Sequence, residues 1–191
     1  KCLAKKSKSI LDIGANIGMT SLLFSELSEK VYAFEPSPTT FKFLKNNLEN
    51  NNILNVTPLN FGLGNDSKKF NLTFAPSNRS GAFISNKLTA SAGHTIETIQ
   101  IKRLDDTVND LNISNIDFIK IDVEGFEMEV LSGGGRMLLK NKPIVMLELN
   151  HWCLNAFQRV SVPDFFDFLR SIFPILYAVE GSNYLDLHNE D

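Results

Sequence analysis

The residues best suited to chemistry come early. SILDIGANIGMTSLLF, residues 9–24, sets Asp12, Gly14, Asn16 and Gly18 between an apolar burst and a helical pattern. Gly14 can turn without a Cβ penalty, Gly18 lets a helix begin close to a strand or ligand, and the helix start offers free N–H groups to a nucleotide-like guest. Twenty-one positions after Gly14, Glu35 closes the next apolar run, VYAFE, where a carboxylate is placed to accept both hydroxyls of a ribose. The nicotinamide fingerprint G-x-G-x-x-G fails, because Asn16 and Met19 stand where its second and third glycines belong. The pattern is DxGxNxG. S-adenosylmethionine fits it better than a dinucleotide, since it brings a ribose diol without a pyrophosphate, and its amino acid end can meet Asp12 and the turn backbone. In the plainer alternative the glycines only tighten a connection and Glu35 caps a helix, which leaves the fold unchanged.

These residues need a strand–turn–helix scaffold, and the chain supplies one. Ile10 to Ile13 reads as a buried strand, and Met19, Leu22, Leu23 and Leu27 share one face of the helix that follows. VYAFE is the second strand, and Ser37 and Pro38 open a helix with Phe41, Leu44 and Leu48 as its apolar stripe. NVTPLNF predicts a third strand, at an edge or strand start because of Pro58. From Phe70 to Arg103 the alternation breaks into short period-two runs, a β insertion. A short helix at 105–111, the strand IDFIKIDVEG, a helix interrupted near Gly133–Gly135, the strand PIVMLELN, a helix striped by Phe165, Leu169 and Ile172, and a closing strand pair complete the order. The expectation is an α/β, Rossmann-like fold whose mostly parallel sheet is covered on both faces. Ligands of such sheets lie at the carboxyl ends of the strands.

At 191 residues and 43% hydrophobic, the chain suits one domain over 1–191. The first residue is a lysine and a strand starts by Ser9, so the chain is expected to begin inside a longer product. A formal charge of -3 offers no general attraction for nucleic acid or an anionic membrane. Cys2 and Cys153 form neither a disulfide framework nor a CxxC site, which points to a reducing, cytoplasmic setting. No window is apolar enough over sufficient length to span a bilayer.

Five stretches, ILDIGANIGMTSL, VYAFEPSP, RLDDTV, DFIKIDVEGFEMEVLSGG and VMLELN, together resemble the FkbM-type S-adenosylmethionine-dependent methyltransferases in order and spacing over roughly residues 9–150. The resemblance implies a class I methyltransferase fold and O-methylation of a sugar, polyketide or other small molecule. It assigns Asp12, Gly14, Asn16 and Gly18 to the cofactor loop, Glu35 to the ribose, and Asn60 or Phe61 to the neighbourhood of adenine.

Methyl transfer to an alcohol needs alignment and a base. Asp122, at the end of the fourth parallel strand, is the first candidate for base or for holding the cofactor's ammonium, and His151, just past the fifth, is the second. Asp122 could instead be a structural carboxylate at the next helix start, and His151 a packed histidine beside Trp152. Asp122, Glu148 and Asn150 offer hard oxygen ligands, but nothing in the sequence enforces a metal geometry, so no metal is assigned. The expected partner is a small-molecule or glycan acceptor. Phe74, Arg79, Phe83 and His94 of the insertion and the helix around Phe165 are candidates for roofing its pocket. A nicotinamide oxidoreductase and a catalytically silent cofactor-binding domain are the competing readings.

Overall fold

The computed structural model describes residues 3–188 except 5, 76, 77, 85–94 and 182, with only the backbone path along 75 and 78–84. His94 and the side chains of Arg79 and Phe83 therefore lie outside the described residues. In chain order the elements are β1 (Ser7–Ile13), α1 (Met19–Ser25), β2 (Ser28–Phe34), α2 (Pro38–Asn50), β3 (Val56–Leu59), β4 (Gly62–Gly64), β5 (Lys68–Ala75), β6 (Asn78–Ile84) and β7 (Thr95–Arg103). There follow α3 (Leu104–Asp110), β8 (Ile116–Ile121), α4 (Glu127–Ser132), α5 (Gly135–Asn141), β9 (Ile144–Leu147), α6 (His151–Cys153), a π-helical turn (Leu154–Gln158), α7 (Val162–Ile172), β10 (Tyr177–Glu180) and β11 (Asn183–Asp186).

Five strands form a parallel sheet in the order β3-β2-β1-β8-β9. The apolar runs seen in the sequence fill both of its faces. Ile10, Val31, Ala33 and Phe118 pack on one side with Phe24 of α1 and with Leu44 and Leu48 of α2. Leu11, Ile13, Phe34, Ile119 and Ile121 pack on the other with Leu104, Val130, Leu131 and Phe165. A strand buried on both faces carries apolar residues at neighbouring positions, which is why Phe118 and Ile119 stand side by side in IDFIKI and pack into opposite cores. Ser37 and Ser161 cap α2 and α7 as their side chains accept from Thr40 N and Asp164 N, each with a proline in the first turn.

The insertion is a second sheet, β4-β7-β5-β6, in which β4 runs parallel to β7 and the other pairs are antiparallel. Leu72, Phe74, Ile99 and Ile101 tie it into the main core. The closing pair, β10 and β11, is antiparallel and separate from the central sheet.

Two expectations shift. Met19 is 65% exposed, while Leu22 and Leu27 of the predicted stripe pack partly buried against the core and α1 adds Ser21 and Phe24 as its fully inward residues. Phe165 itself is fully buried in the core, stacked on Phe168 with ring centroids 6.4 Å apart, so that other residues of α7 would have to line any pocket. No described helix is long and apolar enough to cross a membrane.

Candidate active site

Strand order reverses at β1, flanked by β2 and β8, and the turn after β1 opens at that switch point. Gly14 has φ +79, and a Cβ built there would sit 1.9 Å from the backbone oxygen of Asp122. The position therefore requires glycine twice, for its backbone conformation and for the contact between the ends of β1 and β8. Gly14 N and Ala15 N both donate to Phe34 O, at 3.1 and 3.0 Å, and Asp122 N donates to Ile13 O at 3.1 Å. Asn16 adopts φ 51, a left-handed conformation that asparagine tolerates. Gly18 is the N-cap of α1. Leu44, fully buried beneath Gly18, contributes roughly 2 kcal/mol by its burial and fastens α2 against the turn.

Glu35 follows the last residue of β2 and is 7% exposed. Its Oε2 accepts from Asn16 N at 2.9 Å and its Oε1 from Ser37 N at 2.8 Å. One carboxylate thus braces the first two β–α loops while each oxygen keeps a lone pair. Burial pushes the carboxyl up to about 7 against those two lowering hydrogen bonds, with Glu97 raising it further and Lys120 lowering it. Asn60 donates from Nδ2 to Glu35 O at 2.9 Å, so it holds the loop beside the carboxylate. Phe61 packs edge-on against Phe34, and the Lys102 ammonium lies 4.1 Å from the centre of its ring.

Asp12 is fully buried. Its Oδ2 accepts from Ser21 Oγ at 2.6 Å, and its Oδ1, which takes part in no hydrogen bond, lies 3.5 Å from Lys120 Nζ. Burial raises its carboxyl above the ordinary aspartate value, with Lys120 opposing. Lys120 is a site residue that the sequence reading overlooks. Its ammonium donates to Gly14 O at 2.8 Å and also faces Asp122 Oδ2 at 3.2 Å, so that its three donors face three protein oxygens. The signal was present as a lysine between two isoleucines in the apolar end of the strand IDFIKI. A buried lysine requires partners, and the register of β1 on β8 pairs Asp12 with Lys120.

Asp122 lies just past β8 with its side chain 40% exposed. Glu148 occupies the matching place past β9, with its N–H on Ile121 O at 3.1 Å. The Asp122 carboxylate raises the Glu148 carboxyl, and burial adds to the effect. Behind this pair, Glu124 Oε2 accepts from Asn150 Nδ2 and Cys153 Sγ, while Glu127 Oε1 accepts from Val123 N and Gly125 N. Glu127, and not Asp122, braces that turn. Burial pushes the Cys153 thiol up to about 12, and its hydrogen bond to Glu124 adds to the effect. His151 is exposed at the start of α6, and among the described residues no hydrogen bond or ion pair joins it to Asp122. No group of three or more His, Cys, Asp or Glu among the described residues is arranged to hold a metal. Asp12, Gly14, Asn16, Glu35 and Asp122 are thus brought together, Gly18 and Asn60 border them, and among the described residues no hydrogen bond or ion pair joins His151 to them.

A family model for the methyltransferase FkbM domain matches residues 12–181. The chain is similar to Methyltransferase 1 of Beauveria bassiana, 33% identical over 142 residues that cover 65% of this chain and 57% of that one. The hexuronic acid methyltransferase AglP of Haloferax volcanii is 32% identical over 130 residues, with 68% and 51% covered. The 2-O-methyltransferase NoeI of Sinorhizobium fredii is 27% identical over 156 residues, with 73% and 63% covered. The chain accordingly spans between half and two thirds of the length of these relatives. In fold it resembles the crystal structure of methyltransferase FkbM from Methylobacillus flagellatus KT, with a TM-score of 0.62 at 19% identity and 94% and 42% of the two chains covered. It also resembles SMU.1697c, a putative methyltransferase from Streptococcus mutans in complex with SAH, with a TM-score of 0.53 at 12% identity and 96% and 89% covered. The family match takes in Asp12, Glu35, Lys120 and Asp122 and most of the remaining chain: the chain belongs to the FkbM methyltransferase family.

Proposed function

We propose that the chain is an S-adenosylmethionine-dependent O-methyltransferase acting on a hydroxyl of a sugar or other small molecule. The observation that carries this reading is the bond from Asn16 N to Glu35 Oε2, which fixes a ribose-type carboxylate against the glycine turn at the switch point of the sheet. The residues fit the cofactor: Glu35 keeps a lone pair on each oxygen for a diol, and Asp122 offers a half-open carboxylate toward an ammonium or an acceptor. Hexuronic acid and 2-O specificities among the relatives support a sugar-like acceptor and oxygen as the methylated atom.

When bound, S-adenosylmethionine supplies a methyl group already activated on a sulfonium. The chain's own work is then to position and to move one proton. Holding the reactants in line contributes up to roughly 7–11 kcal/mol. Asp122 takes the proton of the acceptor hydroxyl, a general-base contribution of about 10² to 10⁴ in rate. Glu148, raised by its neighbour, is placed to receive that proton and pass it to solvent. Glu35 and the turn hold the cofactor, while Lys120 fixes the spacing between Gly14 and Asp122.

Calorimetry with S-adenosylhomocysteine and with NAD tests the cofactor, and methyl transfer to uronic acids and neutral glycosides tests the acceptor. Glu35→Gln is expected to weaken S-adenosylhomocysteine at least about tenfold, ~1.4 kcal/mol, with folding retained. Preference for NAD, or unchanged affinity in Glu35→Gln, contradicts the reading.

A further inference from the structure

Glu97 lies on β7, in the insertion, sixty residues beyond Ser37 in the chain, yet the two side chains meet. Ser37 Oγ donates to Glu97 Oε2 at 2.5 Å and Thr39 Oγ1 donates to Glu97 Oε1 at 2.5 Å. Ser37 is 2% exposed and is bound on every side: its hydroxyl also accepts from Thr40 N as the cap of α2, and its backbone N–H donates to Glu35 Oε1. A carboxylate gripping two hydroxyls over such short distances is a charge-assisted clamp, stronger than a neutral pair. It locks the loop between β2 and α2, which holds the Glu35 carboxylate.

We propose that Glu97 is a positioning residue of the cofactor site: by clamping Ser37 and Thr39 it holds Glu35 in place for the ribose, so that the insertion sheet is a working wall of the cofactor pocket. This rests on the reading of Glu35 as the ribose ligand. Among the described residues the charged groups that bear on Glu35 are Glu97 from β7 and Lys120 from β8, and the backbone N–H groups of Asn16 and Ser37 donate to it. Burial holds the Glu35 carboxyl at about 7, and the Glu97 charge acts in the same direction. A ribose diol donates to the ionised carboxylate, so cofactor affinity rises as pH rises through that range. Removing the charge at position 97 moves the rise to lower pH.

The test is calorimetric titration of the whole chain with S-adenosylhomocysteine from about pH 5.5 to 8.5, on wild type, Glu97→Gln, Glu97→Ala and Glu35→Gln. Glu97→Gln keeps the shape and one accepting oxygen, so its affinity at high pH stays near wild type while its midpoint falls. Glu97→Ala loses both hydroxyl bonds and weakens binding at least about fivefold at every pH. Wild-type affinity and midpoint in both Glu97 variants, with Glu35→Gln impaired, overturn the proposal alone. Unimpaired binding in Glu35→Gln overturns the ribose reading, and the proposal with it. A loss in Glu97→Ala that Glu97→Gln does not restore at high pH, with the midpoint unmoved, reduces Glu97 to a fold contact and also overturns the proposal.

Discussion

Lys120 and Asp12 form a charge pair with side chains only 8% and 0% exposed. A buried pair is weak evidence of net stability, yet removing one partner strands the other. Lys120→Met is therefore expected to destabilise the fold by on the order of 3 kcal/mol, and adding Asp12→Asn is expected to recover much of that, because the orphaned carboxylate disappears. Urea unfolding of wild type, single and double variants measures both; a double variant no more stable than Lys120→Met contradicts the pairing. At this scale the sequence was legible where spacing alone carries meaning. Gly14, Asn16 and Glu35 stand at intervals that a strand–turn–helix unit converts directly into proximity. Lys120 and Glu97 were not, since their partners are set by the β1–β8 register and by how the insertion docks. A side chain at Gly14 would meet the Asp122 backbone and disturb the fold itself, so substitution at Glu35 separates ligand binding from folding where substitution at Gly14 does not.

The three glycines at the junction of α4 and α5 differ in what surrounds them. A Cβ at Gly133 would lie 1.9 Å from Gly64 O, a backbone atom of β4, whereas one at Gly134 would lie 2.6 Å from Leu104 Cδ2 and one at Gly135 would meet nothing within 4 Å. Backbone cannot yield as a side-chain terminus can, so the helix end is packed by glycine onto the insertion. Alanine is expected to be most damaging at 133, less so at 134, and neutral to stabilising at 135, the first residue of α5, where the added methyl meets nothing and the unfolded chain loses freedom. Chemical denaturation of the three variants gives the order, and Gly133→Ala as stable as Gly135→Ala contradicts it. The sequence shows a glycine run that interrupts a helix, but it does not show which glycine touches a strand sixty-nine residues earlier. The same limit explains α1, whose predicted stripe included Met19. Periodicity fixes an angle between residues, while the docking of the helix on the sheet fixes which of them face the core.

In the whole molecule the order β3-β2-β1-β8-β9 places four of the proposed working groups at one end of the central sheet, Asp12 with the turn after β1, Glu35 after β2, Asp122 after β8 and Glu148 after β9, while Glu97 reaches them from the second sheet. The alternation of strands and helices made this arrangement legible in advance, because right-handed crossovers between parallel strands leave few other topologies. The separation of β10 and β11 from the central sheet was not legible, since a closing strand pair has the same local pattern whether or not it joins its neighbours. The account depends on Glu35 holding a ribose beside the turn at 14–18. A crystal structure with S-adenosylhomocysteine tests this most directly. It is expected to place both ribose hydroxyls within about 3 Å of Glu35 Oε1 and Oε2, with the sulfur facing Asp122. A nucleoside bound elsewhere on the molecule, or a ribose turned away from Glu35, contradicts it.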